Sequence, residues 1–151
     1  MQARMGNPAL IVPGALEALR ALSATAGQAG IPAALLELIN LRVSQINGCA
    51  VCAHMHARDL RKAGESNERI DTVAAFRDTP WFSDAERSAL ALAEAATRVS
   101  DRPDAVPDQV WDEAAKHWNE QQLGALMISI ASINVWNRLN LATRQEAGAA
   151  W

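Results

Sequence analysis

Cys49-Ala50-Val51-Cys52-Ala53-His54-Met55-His56 holds both cysteines of the chain and two of its three histidines. It follows Asn47-Gly48, a pair suited to closing one helix before the next opens. A helix starting here sets the thiols at its N-terminal end, where free N–H groups and the positive end of the dipole favour thiolate over thiol. At about 100° per residue, positions 49, 52 and 56 fall within about 60° of one another, so both sulfurs and one imidazole share a face. His54 lies about 200° around from Cys52 and is set apart. Residues three apart in a helix have Cα atoms about 5 Å apart, within the reach of a disulfide. His56 stands one turn beyond Cys52, where it can take the thiol proton. The stretch reads as a reactive dithiol with a base beside it.

Helical spacing extends outward in both directions, and no strand-like alternation persists. Upstream, a helix opens at Pro32 and carries Leu35, Leu36, Ile39, Val43 and Ile46 to the Asn47-Gly48 stop, forming a hairpin with the cysteine helix, which ends near Gly64. Before it, residues 13–28 form a first helix with Leu16, Leu19 and Leu22 on its buried side. Downstream, Ser66 caps a fourth helix with Ile70, Val73, Ala74 and Phe76 on its apolar side, ended by Thr79-Pro80. Ser83-Asp84-Ala85-Glu86 is a capping box for a fifth helix reaching about Val99, and residues 100–107 form a surface loop. A sixth helix follows Pro107, and Asn119 with Gln122 caps a seventh that runs to about Leu141. The expected fold is an all-α bundle of six to seven helices in one domain, residues 1–151. Its core spans about 32–141, and residues 142–151 form a tail without pattern.

Composition narrows the function. Half of the 151 residues are hydrophobic and tyrosine is absent, and the formal charge of −3 with no basic run argues against nucleic acid as a partner. Pro13, Glu17 and Arg20 interrupt the apolar N-terminal stretch, so no signal peptide is expected. The apolar run 123–136 is broken by Ser129, Ser132 and Asn134 and is short of the roughly 20 residues of a membrane span. A soluble, cytoplasmic protein is expected. In a reducing compartment a close Cys-x-x-Cys pair serves redox or metal chemistry more often than it staples a fold.

Glu37 is the second unusual residue, a carboxylate among Leu35, Leu36, Leu38 and Leu41. It lies about 15 Å back from the Gly48 turn at 1.5 Å per residue, and His56 lies about 12 Å forward, so antiparallel packing brings the two nearly level. That yields a relay: Glu37 orients His56, His56 draws the proton from Cys52, and Cys49 waits on the same face. Metal binding is the rival. Cys49, Cys52 and His56 supply three ligands where a closed zinc site takes four, and His117 is isolated, so no metal and no cofactor are assigned.

The spacing of Glu37, eleven residues, Cys49-x-x-Cys52, three residues and His56 resembles the active-site pattern of the AhpD-like alkylhydroperoxidase family, part of the wider carboxymuconolactone decarboxylase superfamily. Ile46-Asn47-Gly48-Cys49, Met55-His56-Ala57, Lys62-Ala63-Gly64-Glu65, residues 83–90 and Asn134-Val135-Trp136-Asn137-Arg138 extend the likeness to the short, single-domain members. The resemblance implies a peroxide-reducing dithiol fed by an external thiol or dithiol reductant, with Glu37, Cys49, Cys52 and His56 as the catalytic set. It also implies assembly into homotrimers or homohexamers. Residues 123–135, apolar around most of a helix and including Ile130, suit an interface. Val51 departs from the pattern, since the best-known members carry a further histidine between their cysteines. His54 stands where many short members have an acidic residue and is left out of the set. The superfamily's lactone or decarboxylase chemistry is a rival that the cysteine pair argues against. A non-enzymatic thiol sensor is another.

Overall fold

The computed structural model describes residues 2–101 and 103–149. Arg102 in the expected loop, and Ala150 and Trp151 in the expected tail, lie outside the described residues. The described part is all-helical, with eight α-helices rather than six or seven: α1 (Pro8–Ile11), α2 (Ala15–Thr25), α3 (Ala33–Asn47), α4 (Ala50–Lys62), α5 (Asn67–Thr72), α6 (Asp84–Thr97), α7 (Asp108–His117) and α8 (Glu120–Thr143). Short 3-10 turns follow α2 and α5. No described helix is long and apolar enough to cross a membrane.

The axis of the bundle is α3, which packs on α4, α6 and α8. It buries Leu35, Leu38, Ile39, Leu41 and Val43, and at roughly 1.5–3 kcal/mol for each such side chain this face outweighs the polar contacts around it. Gly48 ends the helix at φ 74°, a left-handed conformation that glycine adopts without steric cost. The Cys49 amide then donates back to the Ser44 carbonyl at 2.9 Å, closing the turn. The chain reverses there, and α4 returns antiparallel along α3. Behind α3, Glu94 of α6 is 8% exposed. It accepts from Arg42 Nε at 2.7 Å and from Arg77 Nη1 at 2.6 Å. Burial pushes this carboxyl up, but the two guanidinium groups more than offset it and hold it below the usual range.

The long helix α8 lies beside α3 and runs in the same direction. Ser129 Oγ meets Asn40 Oδ1, Asn137 Nδ2 meets Ser44 Oγ, and Asn47 Nδ2 meets both Asn134 Oδ1 and Asn137 Oδ1, so contacts advance together along both helices. Its buried residues are apolar toward the core (Leu123, Leu126, Ile130, Ile133) and polar toward the hairpin (Ser129, Ser132, Asn134, Asn137, Asn140). Ile130 is 2% exposed and belongs to the core, while Ile128 and Val135 are each 38% exposed. These two are the exposed large hydrophobic residues of this stretch.

Three expectations about elements are corrected. The first helix does not start at Pro13: Asn7 caps a separate turn by accepting from the Ala9 amide, with Pro8 at the first helical position. The helix after it, α2, has no buried residue, and Leu22 is 44% exposed. The fourth helix is broken at Ala75 (φ −112°, ψ 26°), and Ala74 is exposed. Arg87 gathers the carbonyls of Phe76, Arg77, Thr79 and Phe82, which draws that chain out of helical continuation. At the far end α8 runs two residues past Leu141, to Thr143. The N-terminal arm is tied to it, with the Arg4 amide on the Thr143 carbonyl at 2.9 Å and Asn7 Nδ2 on Asn140 Oδ1 at 3.0 Å.

Candidate active site

Cys49 is the N-cap of α4 and Cys52 lies in its first turn. Both thiols are free and each residue is 1% exposed. The Cys49 thiol donates to Cys52 Sγ at 2.9 Å. From α8, 88 residues further along the chain, Asn140 Nδ2 donates to the same sulfur at 3.2 Å. One sulfur therefore receives two donors and the other gives one away. Donation from Cys49 is the chief cause that lowers the Cys52 thiol to about 6, against the opposing effect of burial; Asn140, Asn137 and the charge of His56 add to it. Cys49 is pushed well above the ordinary thiol range, first by its bond to Cys52 and then by burial. The hydrogen bond therefore favours thiolate at Cys52 and thiol at Cys49.

Glu37 and His56 come level across the hairpin, as the spacing predicts, and touch directly: His56 Nδ1 lies 2.7 Å from Glu37 Oε2. A carboxylate can only accept, so Nδ1 carries a hydrogen and Nε2 is the ring nitrogen turned away from Glu37. Glu37 keeps 38% of its side chain exposed while His56 keeps 9%, so the carboxylate joins the buried imidazole to solvent. The other two histidines stay outside this arrangement. His54 is exposed at the rim, and His117 is exposed on α7 with Glu113 Oε1 at 3.5 Å. Among the described residues no three His, Cys, Asp or Glu side chains are placed to hold a metal ion.

A cleft of about 960 Å³ lies over the site, bounded by α2, α3, α4 and α8. Cys52, Glu37 and His56 line it and Cys49 does not. Val51 also lines it, giving an apolar surface where the family pattern leads one to expect a polar group. Sequence reasoning missed the amides. Asn140 is 3% exposed and is itself held by Asn7, whose Oδ1 caps α1. Asn134, Asn137 and Asn140 recur every three residues in an apolar helix, a periodic polar stripe that was visible in the sequence.

Fold and site together define the class: an all-helical protein with a buried, hydrogen-bonded dithiol at a helix N-terminus and a carboxylate–imidazole pair across a hairpin. A model of the carboxymuconolactone decarboxylase family matches residues 13–95. The uncharacterized protein YdfG of Bacillus subtilis is 34% identical over 139 residues, 92% of this chain and 93% of that protein. The crystal structure of Agrobacterium tumefaciens ATU0492, a protein of unknown function ascribed to antioxidant defence as an AhpD, superposes with a TM-score of 0.89 at 29% identity. The match covers 99% of this chain and 100% of that one. The alkyl hydroperoxide reductase AhpD of Bradyrhizobium diazoefficiens is 44% identical over 50 residues, 33% of this chain and 28% of that protein. The chain belongs to the carboxymuconolactone decarboxylase family, as an AhpD-like member.

The rate of iodoacetamide alkylation of Cys52 should rise with pH about a midpoint near 6, since the thiolate is the reacting form. Asn140→Ala and Cys49→Ala should each move that midpoint up by about one unit, the worth of one hydrogen bond to a charged group. A midpoint unchanged in both variants contradicts the assignment of donors.

Proposed function

We propose that the protein is a thiol-dependent peroxidase that reduces hydroperoxides, alkyl hydroperoxides among them, and is recharged by an external thiol or dithiol. The observation that carries this reading is the Cys52 sulfur, lowered toward thiolate and lining the cleft, with the Cys49 thiol 2.9 Å away. In the first step the Cys52 thiolate attacks the terminal oxygen of the hydroperoxide. The S–O bond forms, the O–O bond breaks, and the departing alkoxide takes a proton from His56, which had received it from the Cys52 thiol. The products are a sulfenic acid and an alcohol. In the second step Cys49 attacks the Cys52 sulfur, the S–S bond forms, and the hydroxyl leaves as water with the Cys49 proton. Two hydrogens from the external reductant restore both thiols.

The order of events follows from the same hydrogen bond. Cys49 is hard to ionise because it donates to an anion. Once Cys52 is a neutral sulfenic acid that cause disappears, and Cys49 becomes the nucleophile only when an electrophile stands beside it. Glu37 acts through His56 as a positioning residue, holding Nδ1 so that Nε2 handles the proton. We propose in addition that the protein assembles as a homotrimer or homohexamer, using the face of α8 that carries Ile128 and Val135.

Peroxide consumption with dithiothreitol should turn over many times per chain, and one round without reductant should lower the intact mass by two hydrogens with no covalent dimer. His56→Ala should slow turnover by about a hundredfold, Glu37→Gln should act in the same direction, and the double variant should be no worse than His56→Ala alone. A single stoichiometric oxidation without turnover would make the dithiol a sensor. For the assembly, light scattering should give a multiple of the 16.2 kDa chain that Ile128→Glu shifts to monomer, whereas a fully active wild-type monomer contradicts it.

A further inference from the structure

An asparagine amide keeps its shape when turned end for end, so its hydrogen-bond partners decide which end faces a neighbour. For Asn140 the choice has a chemical consequence. Its Nδ2 donates to the Cys52 sulfur at 3.2 Å. Turned over, it would set a carbonyl oxygen against that sulfur and oppose the thiolate. Asn140 is 3% exposed and Asn7, which holds it, 4%, so the choice falls to protein groups.

Those groups form a chain that starts at a backbone amide. The N–H of Ala9 can only donate, and it meets Asn7 Oδ1 at 3.0 Å. That leaves Asn7 Nδ2 toward Asn140, where it donates to Oδ1 at 3.0 Å. With its oxygen engaged there, Asn140 has only Nδ2 to offer the sulfur. Each link runs in one direction, and the first cannot be reversed, because a backbone N–H never accepts. The arm that carries Asn7 is also fixed to the end of α8. The Arg4 amide and Arg4 Nη1 donate to the Thr143 and Ala142 carbonyls at 2.9 and 3.1 Å, and Gln145 Nε2 donates to the Met5 carbonyl at 3.0 Å. Asn7 is thereby held against the helix whose amide it directs.

We propose that Asn7 is a positioning residue of the active site: it fixes the direction of the Asn140 amide and so keeps a hydrogen-bond donor, not an acceptor, on the Cys52 sulfur. This rests on the reading of Cys52 as the reacting sulfur. It gives a part in the chemistry to an N-terminal arm that supplies neither the dithiol nor the carboxylate–imidazole pair. The titratable and charged groups about Cys52 lie elsewhere. Cys49 and His56 come from α4, Glu37 of α3 acts through His56, and Arg20 of α2 lines the cleft with His54 and Arg58 of α4. From α8 the sulfur receives amides, Asn137 and Asn140.

The test separates capping α1 from directing Asn140. Aspartate has the shape of asparagine and keeps the oxygen that caps the turn, but an ionised carboxylate cannot donate to Asn140 Oδ1. In Asn7→Asp the Asn140 Nδ2 is drawn to the new carboxylate and away from the sulfur. The pH midpoint for iodoacetamide alkylation of Cys52 should rise by about one unit, a tenfold loss of rate below the midpoint. Asn7→Ala loses the cap but leaves the amide free to keep facing the sulfur, so its shift should be about half as large. In an Asn140→Ala background, Asn7→Asp should add little, because the link is gone. A midpoint unchanged in both Asn7 variants overturns the assignment. So does a larger shift in Asn7→Ala than in Asn7→Asp, which would mark Asn7 as a cap alone. An aspartate effect undiminished in the Asn140→Ala background also overturns it, as a charge acting through space. Alkylation needs no peroxide, so absence of peroxide turnover with these shifts intact brings down the peroxidase reading and leaves this assignment standing.

Discussion

The hydrogen bond from Cys49 to Cys52 is the interaction on which the site depends. It makes two chemically identical side chains unequal, favouring the anion at Cys52 and the proton at Cys49. The inequality has a backbone origin. Gly48 in the left-handed region turns the chain so that Cys49 caps α4 from outside and Cys52 sits inside its first turn. A residue with a side chain at position 48 would be strained there, and the reversal that sets both sulfurs on one side would shift with it. Both thiols lie at the N-terminal end of α4, and the hydrogen bonds to the Cys52 sulfur favour the anion there.

One of those donors is set by both ends of the chain. Asn140 lies near the end of α8 and is oriented by Asn7, ahead of α1. The N-terminal arm thus reaches the Cys52 sulfur through two side chains, although α2 buries no residue. Polar contacts tie this arm to α8, and the amide that donates to the Cys52 sulfur is one of their partners. A polar chain of this kind is costly if any member loses its partner, so it fixes a geometry more than it adds stability. The apolar face of α3 supplies the latter.

The hairpin was legible in the sequence because everything in it is local. Glu37, Cys49, Cys52 and His56 span twenty residues around one turn, and helix rise alone brings the carboxylate level with the imidazole. Cap signals likewise place the starts of α6 and α8, where both capping boxes form. What the sequence withheld depends on register between distant helices. Asn134 reads as an ordinary polar break in an apolar run, and Asn140 goes unremarked beyond it, until α8 is laid beside α3 and α4. Leu22 looks like core by spacing and is exposed, since amphipathic spacing names a face without naming what covers it. Ile130 and Ile128 are indistinguishable by composition, yet one is enclosed and the other faces outward. The break at Ala75 depends on Arg87, twelve residues on and in another helix.

The inequality of the two sulfurs can be read directly by trapping the first oxidised species. Each cysteine is replaced in turn by serine so that the sulfenic acid cannot collapse to a disulfide. The variant is exposed to one equivalent of hydroperoxide in the presence of dimedone, and the adduct is located by mass spectrometry. The account predicts a dimedone adduct on Cys52 in Cys49→Ser and essentially none on Cys49 in Cys52→Ser. An adduct that forms on Cys49 as fast as, or faster than, on Cys52 would contradict it.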